Sequence, residues 1–179
     1  ITGVEALTSC LVLAIFLFNF SETELWQVPA LLCGAVVGFL YFNWPPAKIF
    51  LGDIGSGFIG FTIGVISLVI AKTQPLITWA TIILLGVFIV DATVTLIRRL
   101  ISKQQISKAH RSHAFQHLAN SADRHLKVSL SIAAVNIFWL APIAWLVVDQ
   151  RIMPIVGVAI SYAPLLVLAI YFKAGKTSS

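Results

Sequence analysis

Asp53 stands in the run Lys48-Ile49-Phe50-Leu51-Gly52-Asp53-Ile54-Gly55-Ser56-Gly57, at the entrance to a long apolar stretch. A carboxylate in that place offers a hard oxygen ligand of the kind Mg²⁺ takes. Gly52, Gly55 and Gly57 allow close backbone approach. Ser56 and the free N–H groups of a first helical turn can face an anion. The combination describes a metal–phosphate site, with Asp53 as the metal ligand and Lys48, Gly52, Gly55 and Ser56 as candidate substrate-binding residues. The bland alternative is a helix N-cap, in which the Asp53 carboxylate accepts backbone N–H bonds.

A second group is Ala109-His110-Arg111-Ser112-His113-Ala114-Phe115-Gln116-His117, which holds three of the four histidines within eight residues. On a helix His113 and His117 are separated by one turn, and His110 joins them at i−3. This spacing suits zinc, and it equally suits imidazoles and Arg111 presented to a diphosphate. No cysteine or glutamate lies at metalloprotease spacing, and the plain reading is a solvated basic loop. The third candidate is Asp91, inside an apolar run, two turns before Arg98 with Thr95 between them. An ionisable residue at membrane depth is a functional candidate by default. Its structural alternative is pairing with Arg98 or with a neighbouring span.

The elements that must position these residues are membrane helices. Of the 179 residues 59% are hydrophobic and only 11% are charged, with mean hydropathy +0.95. Soluble domains carry about 25% charged residues. The apolar runs are continuous rather than alternating, which favours helices over a barrel. Six spans are expected, at about 4–20, 28–42, 54–71, 76–97, 128–148 and 153–172, in one membrane domain covering 1–179. Pro29 falls near the start of the second, where proline is tolerated. Cys10 and Cys33 lie in apolar runs without a partner motif and read as small buried hydrophobes. Asn136 reads as interhelical glue, and Trp26, Trp44, Trp79 and Trp145 as interfacial aromatics.

The net charge of +5 does not point to nucleic acid. Ten of the twelve Lys/Arg fall in the loops 43–53 and 98–127 and in the tail. The positive-inside rule therefore places those loops and both chain ends in the cytoplasm. The chain opens on Ile1 without a signal peptide, and the expectation is a chain truncated at its N-terminus.

The run Phe50-Leu51-Gly52-Asp53-Ile54-Gly55-Ser56 resembles the F-[LM]-G-D-x-G-S motif of the polyprenyl-phosphate N-acetylhexosamine-1-phosphate transferases, glycosyltransferase family 4. The order resembles that family too: this motif, two spans, an acidic residue before Arg98-Arg99, then a basic loop with clustered histidines. His110-Arg111-Ser112-His113 resembles the O-antigen and lipopolysaccharide type of loop rather than the triple-histidine form of the cell-wall enzymes. The opening Ile1-Thr2-Gly3-Val4-Glu5-Ala6 resembles the segment that follows the family's D-G-x-D-G motif. The resemblance thus implies the C-terminal part of a ten- or eleven-span, all-α integral membrane fold.

What the resemblance implies chemically is phosphoryl transfer. Undecaprenyl phosphate would attack the β-phosphate of a UDP-N-acetylhexosamine and release UMP, with Mg²⁺ (Mn²⁺ as the alternative ion) bridging the diphosphate. Asp53 would hold the metal. His110, Arg111, His113 and His117 would contact phosphates or sugar, with Asp91, Arg98 and Arg99 on the substrate side. Further carboxylates would lie upstream, so the site as given would be incomplete. The resemblance implies a multi-pass protein of the bacterial inner membrane, in contact with membrane lipid, and leaves a homodimer open. The competing classes are a transporter or channel domain, which would need broken helices and a polar path, and an inactive assembly remnant.

Overall fold

The computed structural model describes residues 1–21, 24–102 and 122–171. All regular structure among them is helical: α1 (Thr2–Phe20), a 3₁₀ turn (Glu24–Trp26), α2 (Gln27–Asn43), α3 (Gly52–Ala71), α4 (Pro75–Leu84), α5 (Gly86–Ile101), α6 (Ala122–Val135), a π-helical segment (Asn136–Leu140), α7 (Ala141–Val148) and α8 (Pro154–Tyr171). Among the described residues five helices are long and apolar enough to cross a bilayer, or six spans when α4 and α5 are taken as one broken span. This is an all-α membrane chain. Pro29 and Pro75 occupy first turns, where the missing N–H would lack an intrahelical partner anyway.

The interior is built where α1, α4, α6, α7 and α8 meet, around fully enclosed Leu17, Ile83, Leu84, Leu140 and Val147. A smaller cluster joins α1, α2 and α3 through Cys10, Cys33 and Ile63. Both cysteines are free and buried, as expected of small apolar side chains. The outer faces are strongly apolar: Phe58, Phe61 and Leu68 on α3 are 64%, 72% and 73% exposed. Exposure of that kind suits hydrocarbon rather than water. Phe16, Phe20 and Trp145 form edge-on aromatic contacts with centroids 5.2–6.4 Å apart where α1 ends. Trp26 meets Phe18 at 5.5 Å beside them. This grouping fits an interfacial belt.

The fourth expected span, about 76–97, is not one straight helix. It breaks at Leu85 and bends by 63°. Helix breaks at membrane depth persist only where neighbours satisfy the freed backbone groups, and two hydroxyls do so. Ser9 Oγ donates to the Leu84 carbonyl at 3.2 Å, and Tyr162 Oη donates to the Ile82 carbonyl at 2.7 Å. Gly86 opens the second half because the Tyr162 ring lies against it: a Cβ there would meet Cε1 of the ring at 2.9 Å. Tyr162→Phe removes one capping hydroxyl while keeping the ring. The expected loss is about 1 kcal/mol of stability, read as a lower thermal midpoint in detergent. An unchanged midpoint would mean that this bond does not hold the break.

Candidate functional site

The loop before α3 is pinned by two hydrogen bonds. Asn43 Nδ2 donates to the Ile49 carbonyl at 2.7 Å, and the Lys48 N–H donates to the Phe42 carbonyl at 2.9 Å. Gly52 then enters α3 with φ of +65°, a left-handed conformation that L side chains rarely adopt. That turn places Asp53 in the first turn of α3, exposed. Asp53 is not the N-cap. Leu51 holds that position without a side-chain cap, so the capping explanation for the carboxylate fails.

Asp53 and Ser56 line the mouth of a groove of about 460 Å³ between α1, α3 and α5. The bend at Leu85 creates it. The helix α5 leans onto α8 while α3 stays against α4, so α3 and α5 diverge. The α5 wall is Leu85, Phe88 and Ile89; the α3 wall includes Ile59 and Ile63. Thr2 and Glu5 supply the polar part of α1. The groove is thus apolar along most of its length and carries oxygen donors at one end.

The expected site residues separate under this geometry. Asp53 and Ser56 come together. The Ser56 hydroxyl donates back to the Gly52 and Asp53 carbonyls, both at 3.1 Å, so it is engaged with its own helix. Lys48 is exposed on the loop and does not line the groove. Gly55 has a local role, since a Cβ there would meet Leu51 Cδ1 at 2.7 Å, whereas Gly57 has open space around it. Asp91, Arg98 and Arg99 do not line the groove either. Along α5 the buried stripe runs through Asp91, Thr95 and Arg99, each 5% exposed, while Arg98 is half-buried. Residues at i+7 and i+8 both lie near one face of a helix, and the packing of α5 encloses Arg99 more fully than Arg98. His110, Arg111, His113 and His117 lie outside the described residues.

Glu5 is the residue that sequence reading passed over. The rule applied to Asp91, that an acid inside an apolar run is a functional candidate, applies equally to Glu5 in the first expected span, 4–20. The glue reading of Asn136 holds: its Nδ2 donates to Glu5 Oε2 at 2.9 Å and to Thr8 Oγ1 at 2.8 Å.

Among the described residues no three His, Cys, Asp or Glu side chains gather as a metal cage. Mg²⁺ is commonly held by one or two carboxylates together with substrate phosphates. A single exposed carboxylate at a groove mouth fits an ion that arrives with a diphosphate, and it does not fit a protein-enclosed ion.

Residues 1–71 match the family model described as glycosyl transferase family 4. The chain is 36% identical over 108 residues to the probable undecaprenyl-phosphate N-acetylglucosaminyl 1-phosphate transferase of Bacillus subtilis, covering 59% of this chain and 30% of that protein. It is 35% identical over 89 residues to the phospho-N-acetylmuramoyl-pentapeptide-transferase of Leptospira biflexa, covering 48% and 23%. It is 33% identical over 108 residues to the enzyme of the same name from Buchnera aphidicola, covering 59% and 30%. The chain therefore spans about a third or less of the length of these relatives. No solved structure matches it.

Proposed function

Since this chain belongs to glycosyl transferase family 4, through residues 1–71 and its curated relatives, we propose that it serves the transfer of a sugar 1-phosphate, of the N-acetylhexosamine type, from a UDP-sugar to undecaprenyl phosphate. UMP is released, and the product starts a cell-surface polysaccharide of the O-antigen or lipopolysaccharide kind. The observation that carries this reading is the groove itself: a polar mouth with Asp53 opening into an apolar channel between α3 and α5. A lipid acceptor needs an apolar bed for its chain and a polar end where its phosphate meets the donor.

In this reading Asp53 would hold Mg²⁺, or Mn²⁺, which would supply charge neutralisation for the leaving UMP. The divergence of α3 and α5 orients the acceptor so that its phosphate lies at the mouth. The Asn43–Ile49 bond and the Gly52 turn hold the carboxylate in that place. Lys48, Arg98 and Arg99 raise the local positive potential and attract the anionic donor. His110, Arg111, His113 and His117 complete the reading as phosphate or sugar contacts. The mouth faces the cytoplasm of a bacterium, at the inner membrane, in keeping with the basic loops.

The test is transfer of label from a radiolabelled UDP-N-acetylhexosamine to undecaprenyl phosphate by the full-length protein, with and without divalent cation. Cation-dependent formation of a lipid-linked diphosphate sugar supports the proposal; label that stays water-soluble under all conditions overturns it.

One observation favours a transporter: the broken helix pair α4–α5 is a feature of that class. Its freed carbonyls, however, are taken by Ser9 and Tyr162 rather than offered to a passing ion. Flux of the UDP-sugar across liposomes without chemistry would favour the transport reading.

A further inference from the structure

Glu5 is wholly enclosed, with 0% of its surface exposed, and so is Asn136. Asn136 donates both to Glu5 Oε2 and to Thr8 Oγ1, and the Thr8 hydroxyl is itself turned to the Val4 and Glu5 carbonyls at 3.0 and 3.1 Å. Glu5 Oε1 and Asn136 Oδ1 remain as buried oxygens with no hydrogen-bond partner. An unmatched buried polar atom costs about 1–3 kcal/mol. Asn136 opens the π-helical segment, and such interruptions of a helix often occur at functional sites.

Glu5 borders the same groove as Asp53. The groove beside Glu5 is walled by Ile59, Ile63 and Phe88. An occupant that suits both features is an amphiphile, its apolar chain along the walls and its headgroup between the two acids.

We propose that Glu5 is a substrate-binding residue whose free Oε1 hydrogen-bonds a phosphate oxygen of the lipid acceptor, with Asn136 and Thr8 holding the carboxyl in place. This rests on the reading of the protein as a sugar-phosphate transferase. A carboxyl and a phosphate attract only when one proton lies between them. A phosphate monoester loses its second proton near pH 6, so the contact draws on the monoprotonated lipid phosphate, the minor form at neutrality, and weakens as the pH rises above about 6. Phosphate oxygens also occur on the nucleotide sugar; the apolar walls assign the contact to the lipid, and the kinetics separate the two sources.

The experiment uses the full-length protein in nanodiscs, with undecaprenyl phosphate and UDP-N-acetylglucosamine varied in turn. Glu5→Leu is expected to raise KM for undecaprenyl phosphate about tenfold or more, the equivalent of one hydrogen bond to a charged group. KM for the nucleotide sugar stays within about twofold. Glu5→Gln keeps an oxygen for Asn136 and offers an N–H to the phosphate, so it restores KM for the lipid to within about threefold of wild type. Should Glu5→Leu fail to fold, Glu5→Asp, which withdraws the carboxyl by one methylene, is read by the same split. An unmoved lipid KM, a shift confined to the nucleotide sugar, or a Gln variant as impaired as the Leu variant would each overturn the role of Glu5. Absence of transfer by the wild type would instead strike the functional reading.

Discussion

Asp53→Asn is expected to lower cation-dependent sugar-phosphate transfer about 100-fold or more, with the protein still folded. The carboxylate is exposed at the groove mouth, and it is not the N-cap of α3, which carries no side-chain cap bond. A near-isosteric change at such a surface position costs within about 0.5 kcal/mol of stability. The charge is what the reaction would miss. A neutral amide oxygen is a poorer ligand for a hard dication than a carboxylate. Loss of one preorganised electrostatic group at a phosphoryl-transfer centre commonly removes two to three orders of magnitude in rate. The measurement is turnover with labelled UDP-N-acetylhexosamine across a Mg²⁺ titration, beside a thermal melt. Partial recovery at high Mg²⁺ would identify the defect as one of metal binding. Wild-type turnover in the Asn variant would sink the metal role.

Gly86→Leu is expected to give the largest structural effect. A Cβ at Gly86 would lie 2.9 Å from Tyr162 Cε1 and 3.3 Å from Leu165 Cδ1, so a branched side chain has to displace the ring. Overpacking of this kind costs about 1–3 kcal/mol. Displacing the ring also breaks the bond from Tyr162 Oη to the Ile82 carbonyl, for about 1 kcal/mol more. The consequence reaches the groove because Leu85, Phe88 and Ile89 belong to the same bent segment and form its α5 wall. A lower melting midpoint should therefore accompany a raised KM for the lipid acceptor. Gly64→Ala is the control, since nothing lies within 4 Å of a Cβ built there. If Gly86→Leu melts like wild type, Tyr162 does not clamp the bend.

Residues 1–21 and 52–71 show how far reading along the chain could go. Their continuous apolar runs predict spans, and α1 (Thr2–Phe20) and α3 (Gly52–Ala71) follow within two residues of the expected bounds. The placement of Asp53 at the entrance of α3 was legible for the same reason. A helix boundary is a local property, set by where apolar side chains begin and by a glycine able to take φ of +65°. Asn136 was legible as a contact between helices because a polar amide inside a span has few other uses.

The break at Leu85 was not legible. Thr81-Ile82-Ile83-Leu84-Leu85-Gly86 reads as uninterrupted span, and the hydroxyls that stabilise its interruption come from Ser9 and Tyr162, 75 and 80 residues from the carbonyls they cap. The choice of Arg99 over Arg98 for the buried stripe likewise depends on how α5 packs. Glu5 had a sequence signal, an acid inside an apolar run, but its partner Asn136 is 131 residues away. The sequence by itself determined which segments enter the membrane and that Asp53 guards a mouth, because hydrophobicity and backbone preference act locally. Only the tertiary structure decided that α3 and α5 diverge into a groove with Glu5 in its lining. That outcome rests on hydrogen bonds and side-chain contacts between helices far apart in the chain.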